Sequence, residues 1–317
     1  MRIATVLTPP TDSSLQLASQ LGVSDIVVRC PGLDLSDLIG EKNRIESFGM
    51  KASVVEGNLP IENIKLGNQR RDAEIEELKT FVRNMGRAGI KILCYNFMAG
   101  TDWVRTSLDA PERGGAKVTG FDLCKATDAV LLGESAEDTH TEVSVGALWA
   151  NLEHMLHEIV PVAEEAGVVL AMHPDDPPLD CFMNKARIMN SVENFERLVS
   201  LVPSQSNAIC FCQGTFAEMG VDISATIRRL GPHIAYVHFR DVRGTREQFV
   251  ETFHDNGPTN MFAAIRAYRA VGFTGPMRPD HVPQLVGEEG GEPGYTMLGR
   301  IFAFGYMRGL IQAAEQV

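Results

Sequence analysis

Four segments of the chain place a histidine, a cysteine or a carboxylate at or just after the end of a predicted strand. The residues are His173, Cys210 or Cys212, His238 and Asp280. Two imidazoles, a thiolate and a carboxylate together form a donor set for a divalent ion such as Zn²⁺, Mn²⁺ or Fe²⁺. Mg²⁺ prefers oxygen ligands and suits this set less well. These side chains could bind one ion only if the fold brings them to a single point.

The segment around His173 shows which kind of element would do so. Gly167 is followed by five apolar residues, Val168–Met172, which predict a buried parallel strand. Pro174 cannot continue a central strand, so the strand ends at or near His173. A histidine at the carboxyl end of a buried strand lies where α/β enzymes carry their functional side chains.

The sixth predicted strand offers two cysteines rather than one. Cys210 and Cys212 share a strand face, because side chains alternate between faces with a period of two. Either cysteine alone is more commonly a small buried apolar residue. The spacing does not choose between them, and we favour Cys212 because it lies next to the Gly214 turn and so nearer the strand end.

Strands and helices alternate along the chain, which favours a single α/β domain over residues 1–317, a (β/α)₈ TIM barrel. The eight predicted strands are Arg2–Leu7, Asp25–Arg29, Lys51–Val55, Ile90–Cys94, Val168–Met172, Ala208–Phe211, Ile234–Val237 and Thr274–Arg278. The predicted helices are Leu15–Leu21, Leu35–Phe48, Arg70–Arg87, Val145–Ala166, Val192–Leu201, Ile223–Leu230, Met261–Val271 and Met297–Ala314. A doubly wound open sheet is the alternative, but it usually carries a glycine-rich turn where this chain has Thr8-Pro9-Pro10.

Two connections of the predicted barrel are long. Gly57–Asn68 is predicted to be a loop, and residues 95–141 follow the fourth strand without clear periodicity. Loops of the second length are uncommon unless they form a lid or a binding insertion. We therefore predict a long insertion after strand four that closes over a bound ligand.

The composition argues against several classes of partner. The chain has 317 residues and a net charge of −12, without a run of lysine or arginine, which argues against nucleic acid and anionic membranes. No apolar stretch approaches the roughly 18 residues that span a bilayer. The six cysteines are scattered, and the N-terminus lacks a signal-peptide pattern. We expect a cytoplasmic protein with free thiols that acts on a small molecule, and we further expect a homo-oligomer.

Other polar residues near the strand ends are candidate site residues. Arg105 lies just past the fourth strand, and its guanidinium could hold a substrate carboxylate with two hydrogen bonds. Arg240 is a similar candidate, although a structural or solvated role is as common for such arginines. Asp175 and Asp176 could fix the imidazole of His173, or they could cap turns.

Several strings of the sequence resemble the mannonate dehydratase family. They are Cys94–Thr106 (CYNFMAGTDWVRT), Met172–Pro178 (MHPDDPP), Arg278–His281 (RPDH), Leu59–Gly67 (LPIENIKLG) and Pro293–Tyr295 (PGY). The similarity extends from about Ser53 to Gly309. The family has a (β/α)₈ barrel related to xylose-isomerase-like enzymes, which agrees with the strand pattern.

The resemblance implies an activity and individual roles. The activity is removal of water from D-mannonate to give 2-dehydro-3-deoxy-D-gluconate, with Mn²⁺ or Fe²⁺ as cofactor. The implied metal ligands are His173, Cys212, His238 and Asp280. This set supports Cys212 over Cys210, and the implied acid/base residues are His281 and Tyr295, with no assignment of the base. Asn96 and Arg105 are expected to hold the sugar acid beneath the insertion.

The sequence also departs from the family strings. Leu179 replaces an aromatic residue, Asp241 replaces an asparagine, and Val282 replaces a glycine. The segments Asn184–Ala186 and Pro258–Met261 differ as well. A related sugar acid is therefore a second candidate substrate. Two further functions also fit the sequence: a metal-dependent sugar isomerase or epimerase on the same fold, and a non-catalytic sugar-acid sensor.

Overall fold

The computed structural model describes residues 1–57, 59–128, 130–131 and 141–316. At its centre is a closed barrel of eight parallel strands, which confirms the (β/α)₈ prediction. The barrel strands are β1 (Arg2–Val6), β2 (Asp25–Val28), β3 (Lys51–Glu56), β4 (Ile92–Tyr95), β5 (Val169–Met172), β6 (Asn207–Cys212), β7 (Ile234–Phe239) and β8 (Pro276–Pro279). Each strand pairs with its neighbours in the chain, and β1 closes the barrel on β8.

Helices surround the barrel in the described part of the chain. They are α1 (Asp12–Gln20), α2 (Leu35–Ser47), α3 (Glu62–Leu66), α4 (Arg71–Ala88), α5 (Val145–Ala166), α6 (Val192–Leu201), α7 (Gln213–Glu218), α8 (Ile223–Leu230), α9 (Met261–Ala270) and α10 (Met297–Glu315). Short 3₁₀ helices span Arg113–Gly115, Leu123–Asp128 and Gly231–His233. The prediction that Gly57–Asn68 is a plain loop was wrong, because it contains α3. Both α3 and α7 are too short to show a helical period.

The two longest helices before β5 show how the sequence produces these elements. Helix α4 buries Leu78, Val82 and other apolar residues along one side, and it ends at Gly89, which has φ 82°. Helix α5 begins at Ser144, whose side chain accepts a hydrogen bond from the N–H of Ala147. The two helices pack against each other and cover the outside of the barrel beside β4 and β5.

The described part of the insertion contains strands that the sequence pattern did not reveal. These lie at Val104–Arg105, Ser107–Pro111, Lys117–Asp122 and Val130–Leu131. The strand Lys117–Asp122 pairs with Gln248–Glu251, which forms a hairpin with Val242–Thr245 after β7. The insertion is thereby joined to the β7 connection in a four-stranded antiparallel sheet. Residues 129 and 132–140 of the predicted lid lie outside the described residues, and its closure stays a prediction.

Two further expectations concern the whole chain. The six cysteines are all free, which confirms the prediction of free thiols. None of the helices within the described residues is long and apolar enough to cross a membrane.

A short antiparallel pair, Cys181–Phe182 with Lys185–Ala186, completes the strands outside the barrel.

Candidate active site

An open cavity of about 200 Å³ lies at the carboxyl ends of the barrel strands. Three of the predicted metal ligands, His173, His238 and Asp280, contribute to its wall. The predicted acid/base residues His281 and Tyr295 line the same cavity. Side chains from the ends of β5, β7 and β8 therefore line one cavity.

The predicted metal ligands converge beneath this cavity. The ligand atoms of His173, Cys212 and His238 all lie within 4.8 Å of one another. Nε2 of His173 is 3.1 Å from Nδ1 of His238, and a carboxylate oxygen of Asp280 is 3.5 Å from the same Nδ1. Parallel pairing contributes directly, because Cys212 and His238 are register partners across β6 and β7. The structure thus brings together four donors from the ends of four consecutive barrel strands.

Hydrogen bonds decide which imidazole nitrogens face the donor cluster. Nδ1 of His173 is 2.7 Å from the carbonyl oxygen of Pro174, so we assign the proton to Nδ1. Nε2 of His238 similarly donates to a carboxylate oxygen of Glu56 at 3.2 Å. When both rings are neutral, the two facing nitrogens, 3.1 Å apart, both carry lone pairs. Two ligands that are each about 2.1 Å from one ion lie about 3–4 Å apart, so a cation fits between these nitrogens.

The charges around His238 also favour a cation. Burial and Arg278 lower the pKa of the His238 imidazole, but Glu56 and Asp280 outweigh them and raise this pKa well above its ordinary value. A proton is held there because the surrounding carboxylates attract positive charge. A divalent ion would satisfy the same attraction.

Cys212 is suited to bind as a thiolate. Burial opposes ionisation, but Arg240 and His173 outweigh it and hold the pKa of the Cys212 thiol well below its usual range. The hydroxyl of Thr215 donates to the sulfur at 3.2 Å. Since thiolates and neutral imidazoles are the forms that ligate metals, the residues present fit a bound divalent ion.

His281 and Tyr295 are held side by side by the main chain. His281 has φ 44°, in the left-handed region that residues with a side chain rarely adopt. The N–H of Val282 donates to the carbonyl oxygen of Gly294 at 2.8 Å, which ties the two segments together. The ring centroids of His281 and Tyr295 are 5.5 Å apart, and Trp103 packs 4.5 Å from His281.

The two residues have different polar surroundings. Nδ1 of His281 is 2.8 Å from a carboxylate oxygen of Glu251 and 3.0 Å from Nη2 of Arg105, which orients the ring, and Nε2 lies 3.7 Å from a carboxylate oxygen of Asp280. Burial and Asp280 raise the pKa of Tyr295 to about 12, although Arg278 lowers it. The hydroxyl of Tyr295 is therefore protonated near neutral pH and suited to donate.

Arg105 and Arg240 lie behind the cavity wall. Arg105 donates to Asp176 at 2.7 and 3.0 Å and to Glu251 at 2.7 Å. Arg240 donates to the same Asp176 at 2.8 Å and to Glu251 at 2.9 Å. Neither guanidinium lines the cavity formed by the described residues, and both are fully buried. This arrangement favours a structural role over the predicted contact with substrate.

Asn96 does line the cavity, but its amide has protein partners. Its Nδ2 donates to Asp102 at 3.0 Å, and its Oδ1 accepts from Lys65 at 3.2 Å and from the N–H of Met98 at 3.1 Å. These bonds fix the amide plane at the cavity wall. Its contact with substrate stays a prediction.

The two carboxylates after His173 have partners other than its imidazole. Asp175 accepts a hydrogen bond from the N–H of Met189 at 2.7 Å, and Asp176 binds the buried arginines. The imidazole is instead fixed by the carbonyl of Pro174. Asp175 therefore stabilises a neighbouring loop, and Asp176 stabilises the two buried arginines.

Sequence reasoning missed two strand-end residues, Arg29 after β2 and Glu56 at the end of β3. Glu56 accepts hydrogen bonds from Tyr236 at 2.9 Å and from Arg278 at 2.7 Å, besides its contact with His238. The side chain of Arg29 is 30% exposed, lines the cavity and lies 3.8 Å from Glu56. The rule applied to β5–β8 would have found both residues if it had been extended to β2 and β3.

Comparison with known proteins decides the family. A family model described as D-mannonate dehydratase (UxuA) matches residues 14–317. The chain belongs to this family. A mannonate dehydratase from Oceanobacillus iheyensis is 36% identical over 296 residues, covering 86% of this chain and 84% of that protein.

Solved structures similar to this chain support its place in the D-mannonate dehydratase family. The mannonate dehydratase from Streptococcus suis serotype 2 has a TM-score of 0.90 at 31% identity, covering 100% of this chain and 94% of that chain. A xylose isomerase domain protein from Planctomyces limnophilus has a TM-score of 0.62 at 12% identity, with 100% and 98% covered. The second likeness shows the fold alone.

The departures of this D-mannonate dehydratase family member from the family strings do not contribute to the cavity wall, although Val282 directly follows the cavity-lining His281. All of them fall within the described residues, and none lines the cavity wall. Two of them contact each other, since the Asp241 carboxylate accepts hydrogen bonds from the N–H and the hydroxyl of Thr259, each at 2.7 Å. These departures therefore give no direct reason to expect a different substrate.

Proposed function

We propose that this chain removes water from D-mannonate to give 2-dehydro-3-deoxy-D-gluconate. Relatives with the name mannonate dehydratase match most of its length. The observation that carries the proposal is the convergence, at one cavity, of a metal-type donor cluster with His281 and Tyr295. A hydro-lyase needs both a base and an acid beside a centre of positive charge, and these residues supply that combination.

We propose His173, Cys212, His238 and Asp280 as the residues that hold Mn²⁺ or Fe²⁺. Their mixed nitrogen, sulfur and oxygen donors are compatible with either ion. When bound, the ion would supply positive charge that stabilises the negative charge developing beside the substrate carboxylate. Glu56 supports the set indirectly, because it fixes the tautomer of His238 through Nε2.

The reaction breaks the C2–H bond and the C3–O bond of the aldonate. The C2 proton is weakly acidic, because its loss adds negative charge next to a carboxylate that is already anionic. A base must take this proton, and an acid must protonate the 3-hydroxyl so that it leaves as water. The electron pair of the C2–H bond becomes the C2–C3 double bond of an enol. Proton uptake at C3 and loss of the proton from the C2 hydroxyl then convert the enol into the 2-ketone.

We assign the base to His281 and the acid to Tyr295. We place the proton of the neutral imidazole on Nδ1, 2.8 Å from the Glu251 carboxylate, so that Nε2 can accept the C2 proton. Tyr295, with a pKa of about 12, keeps its proton until the 3-hydroxyl departs. Trp103 packs against His281 and shields this pair from water on one side.

We propose Arg29 as a substrate ligand in place of Arg105 and Arg240. Its partly exposed guanidinium lines the cavity, whereas the cavity-lining Arg278 is engaged by Tyr236, Glu56 and Asp280. The N–H donors of the Arg29 guanidinium could therefore bind the substrate carboxylate or a hydroxyl. The insertion supplies Trp103 and other wall residues, and we propose that it closes over the bound sugar acid.

A screen of aldonates tests the function. The purified chain is incubated with Mn²⁺ or Fe²⁺ and each of several six-carbon aldonates, and the products are identified by NMR and by an assay for 2-ketoacids. The expected result is a 3-deoxy-2-ketoacid from D-mannonate at the highest rate. Removal of divalent ions with a chelator should abolish turnover, and added Mn²⁺ or Fe²⁺ should restore it.

The same screen separates dehydration from the competing functions. A product that retains all of its hydroxyl groups would indicate an isomerase or epimerase. Binding of D-mannonate without turnover, with any of the ions supplied, would indicate a sensor. Faster dehydration of another aldonate would move the proposal to that substrate.

A further inference from the structure

A second group of soft donors lies in the barrel interior next to the proposed metal site. The ligand atoms of Cys94, Cys210 and His238 all lie within 4.8 Å of one another, and all three residues are buried. His238 therefore belongs to two donor groups at once. The first group, with His173, Cys212 and Asp280, was predicted, whereas Cys94 and the pairing with Cys210 were not.

The strand register explains the second group. Cys210 and Cys212 point to the same side of β6, and Cys212 is level with His238 while Cys210 is level with Tyr236. Cys210 thus lies one layer deeper in the barrel than the predicted ligand. Cys94 on β4 is level with Ala171 on β5, whose small side chain leaves room between the strands that carry the two thiols.

The chemistry of the group matches a particular class of ion. Two thiolates and one imidazole are a known ligand combination for Zn²⁺, which takes four ligands in tetrahedral geometry. Glu56 lies 3.2 Å from Nε2 of His238 and places a carboxylate beside the set. Zn²⁺ also binds nitrogen and sulfur sites more tightly than Mn²⁺ or Fe²⁺ does. Cys94 lines the cavity, which gives an ion a route from solvent.

Packing alone is the competing explanation. Cys94 and Cys210 belong to an apolar cluster with Val54 and other small residues, and buried cysteines often act as small apolar side chains. Packing does not require an imidazole beside both sulfurs, however. It also does not require that one of the thiols reach the cavity.

We propose that Cys94, Cys210 and His238 form a second, inhibitory site for a thiophilic divalent ion such as Zn²⁺ or Cd²⁺. Both donor groups contain the one His238 imidazole, and two neighbouring cations repel each other. An ion in the second site therefore weakens binding of an ion by His173, Cys212 and Asp280. The inhibitory consequence rests on the proposed function, whereas ion binding at the three residues does not.

Cobalt spectroscopy tests the binding directly. The full chain is freed of metal and saturated with Co²⁺, and the sulfur-to-cobalt charge-transfer absorbance is compared among wild type, Cys210→Ala, Cys212→Ala and the surface control Cys181→Ala. Two thiolates coordinate in the second site and one in the first, so Cys210→Ala should lower the band to about half. Cys212→Ala and Cys181→Ala should leave it nearly unchanged. A band that is unchanged in Cys210→Ala and lost in Cys212→Ala would overturn the proposal.

Inhibition provides a second measurement. Zn²⁺ is titrated into the Mn²⁺-loaded enzyme, and the concentration for half inhibition is compared between wild type and Cys210→Ala. Loss of one ligand should raise this concentration by at least about tenfold. Equal values would mean that Zn²⁺ merely replaces the ion of the first site, which contradicts the proposal. If Cys210→Ala does not fold, Cys94→Ala is used in its place. If the wild type shows no turnover, inhibition cannot be measured and the cobalt spectra alone decide the proposal.

Discussion

Glu251 offers the sharpest test of the catalytic geometry. Its carboxylate is 2.8 Å from Nδ1 of His281 and also accepts hydrogen bonds from Arg105 and Arg240. It does not line the cavity. Glu251 therefore acts on substrate only through His281, as a positioning residue. The substitution Glu251→Gln keeps the size of the side chain and removes its charge.

The expected magnitude follows from the contacts. A hydrogen bond to a charged group contributes about 1.5–3 kcal/mol. The His281 imidazole becomes charged in the transition state, as it takes up the C2 proton. If the variant loses the hydrogen-bond energy in that state, kcat falls by about 10- to 150-fold, since about 1.4 kcal/mol corresponds to a tenfold change in rate. KM should change little because the cavity wall is intact. Stability should also fall, by about 3–5 kcal/mol, because two buried guanidiniums lose a carboxylate.

The assay combines steady-state kinetics on D-mannonate with urea unfolding, so that rates are compared between folded proteins. Glu218→Gln is the matched control. Glu218 also contacts Arg240, at 3.2 Å, but burial and Asp176 raise the pKa of its carboxyl well above the ordinary value. Glutamine closely resembles that protonated carboxyl, so this variant should retain both kcat and stability.

Two results would refute this reasoning. One is a wild-type kcat in folded Glu251→Gln, which would show that His281 needs no carboxylate partner. The other is an equal loss of kcat in Glu218→Gln, which would mean that the buried charge network, rather than the contact with His281, sets the rate.

The remaining predictions concern three other side chains. Tyr295→Phe keeps the ring but removes the proton donor, so kcat should fall by about 10²–10⁴-fold with little change in KM; a wild-type kcat would exclude the donor role. Arg29→Met should raise KM by about tenfold or more, because hydrogen bonds to a charged group contribute about 1.5–3 kcal/mol; an unchanged KM would contradict the assignment of Arg29. Asp176→Asn should lower the free energy of unfolding near neutral pH by about 3–5 kcal/mol. Burial raises the pKa of Asp176, but Arg105 and Arg240 outweigh it and lower this pKa. Its stabilisation is therefore present above the unfolded pKa of about 3.9 and is lost as the pH falls through the folded value. Measured by urea unfolding, the difference in free energy of unfolding between wild type and Asp176→Asn should become smaller below about pH 4. A free-energy difference that does not change with pH would contradict this prediction.

Much of the barrel could be predicted because its signals are local. Most of the barrel strands contain a short apolar run that ends near a proline, a glycine or a polar residue, and period-3.6 patterns distinguish the helices. The helix α3 and the strands of the insertion were missed for the opposite reason. The strand Lys117–Asp122 pairs with nearby Ser107–Pro111 and with Gln248–Glu251, which is more than a hundred residues away, and it carries no clear pattern of its own.

The donor cluster could be predicted for a related reason. In a closed parallel barrel the carboxyl ends of the strands meet, so side chains such as His173 and His238 need only their positions on the strands to be placed near one another. The roles of the arginines could not be predicted in this way. Arg105 and Arg29 both lie near strand ends, yet one is buried among carboxylates and the other faces the cavity.

The sequence by itself determined the barrel and the four donors at its mouth, because strand order and strand ends are written in short stretches of the chain. Only the tertiary structure decided that Glu251 contacts His281, that Asp176 pairs with two arginines, and that Cys94 and Cys210 share His238. These contacts join segments far apart in sequence. The pairing of charged side chains across these contacts depends on side-chain packing and burial. Neither produces a periodic pattern in the sequence.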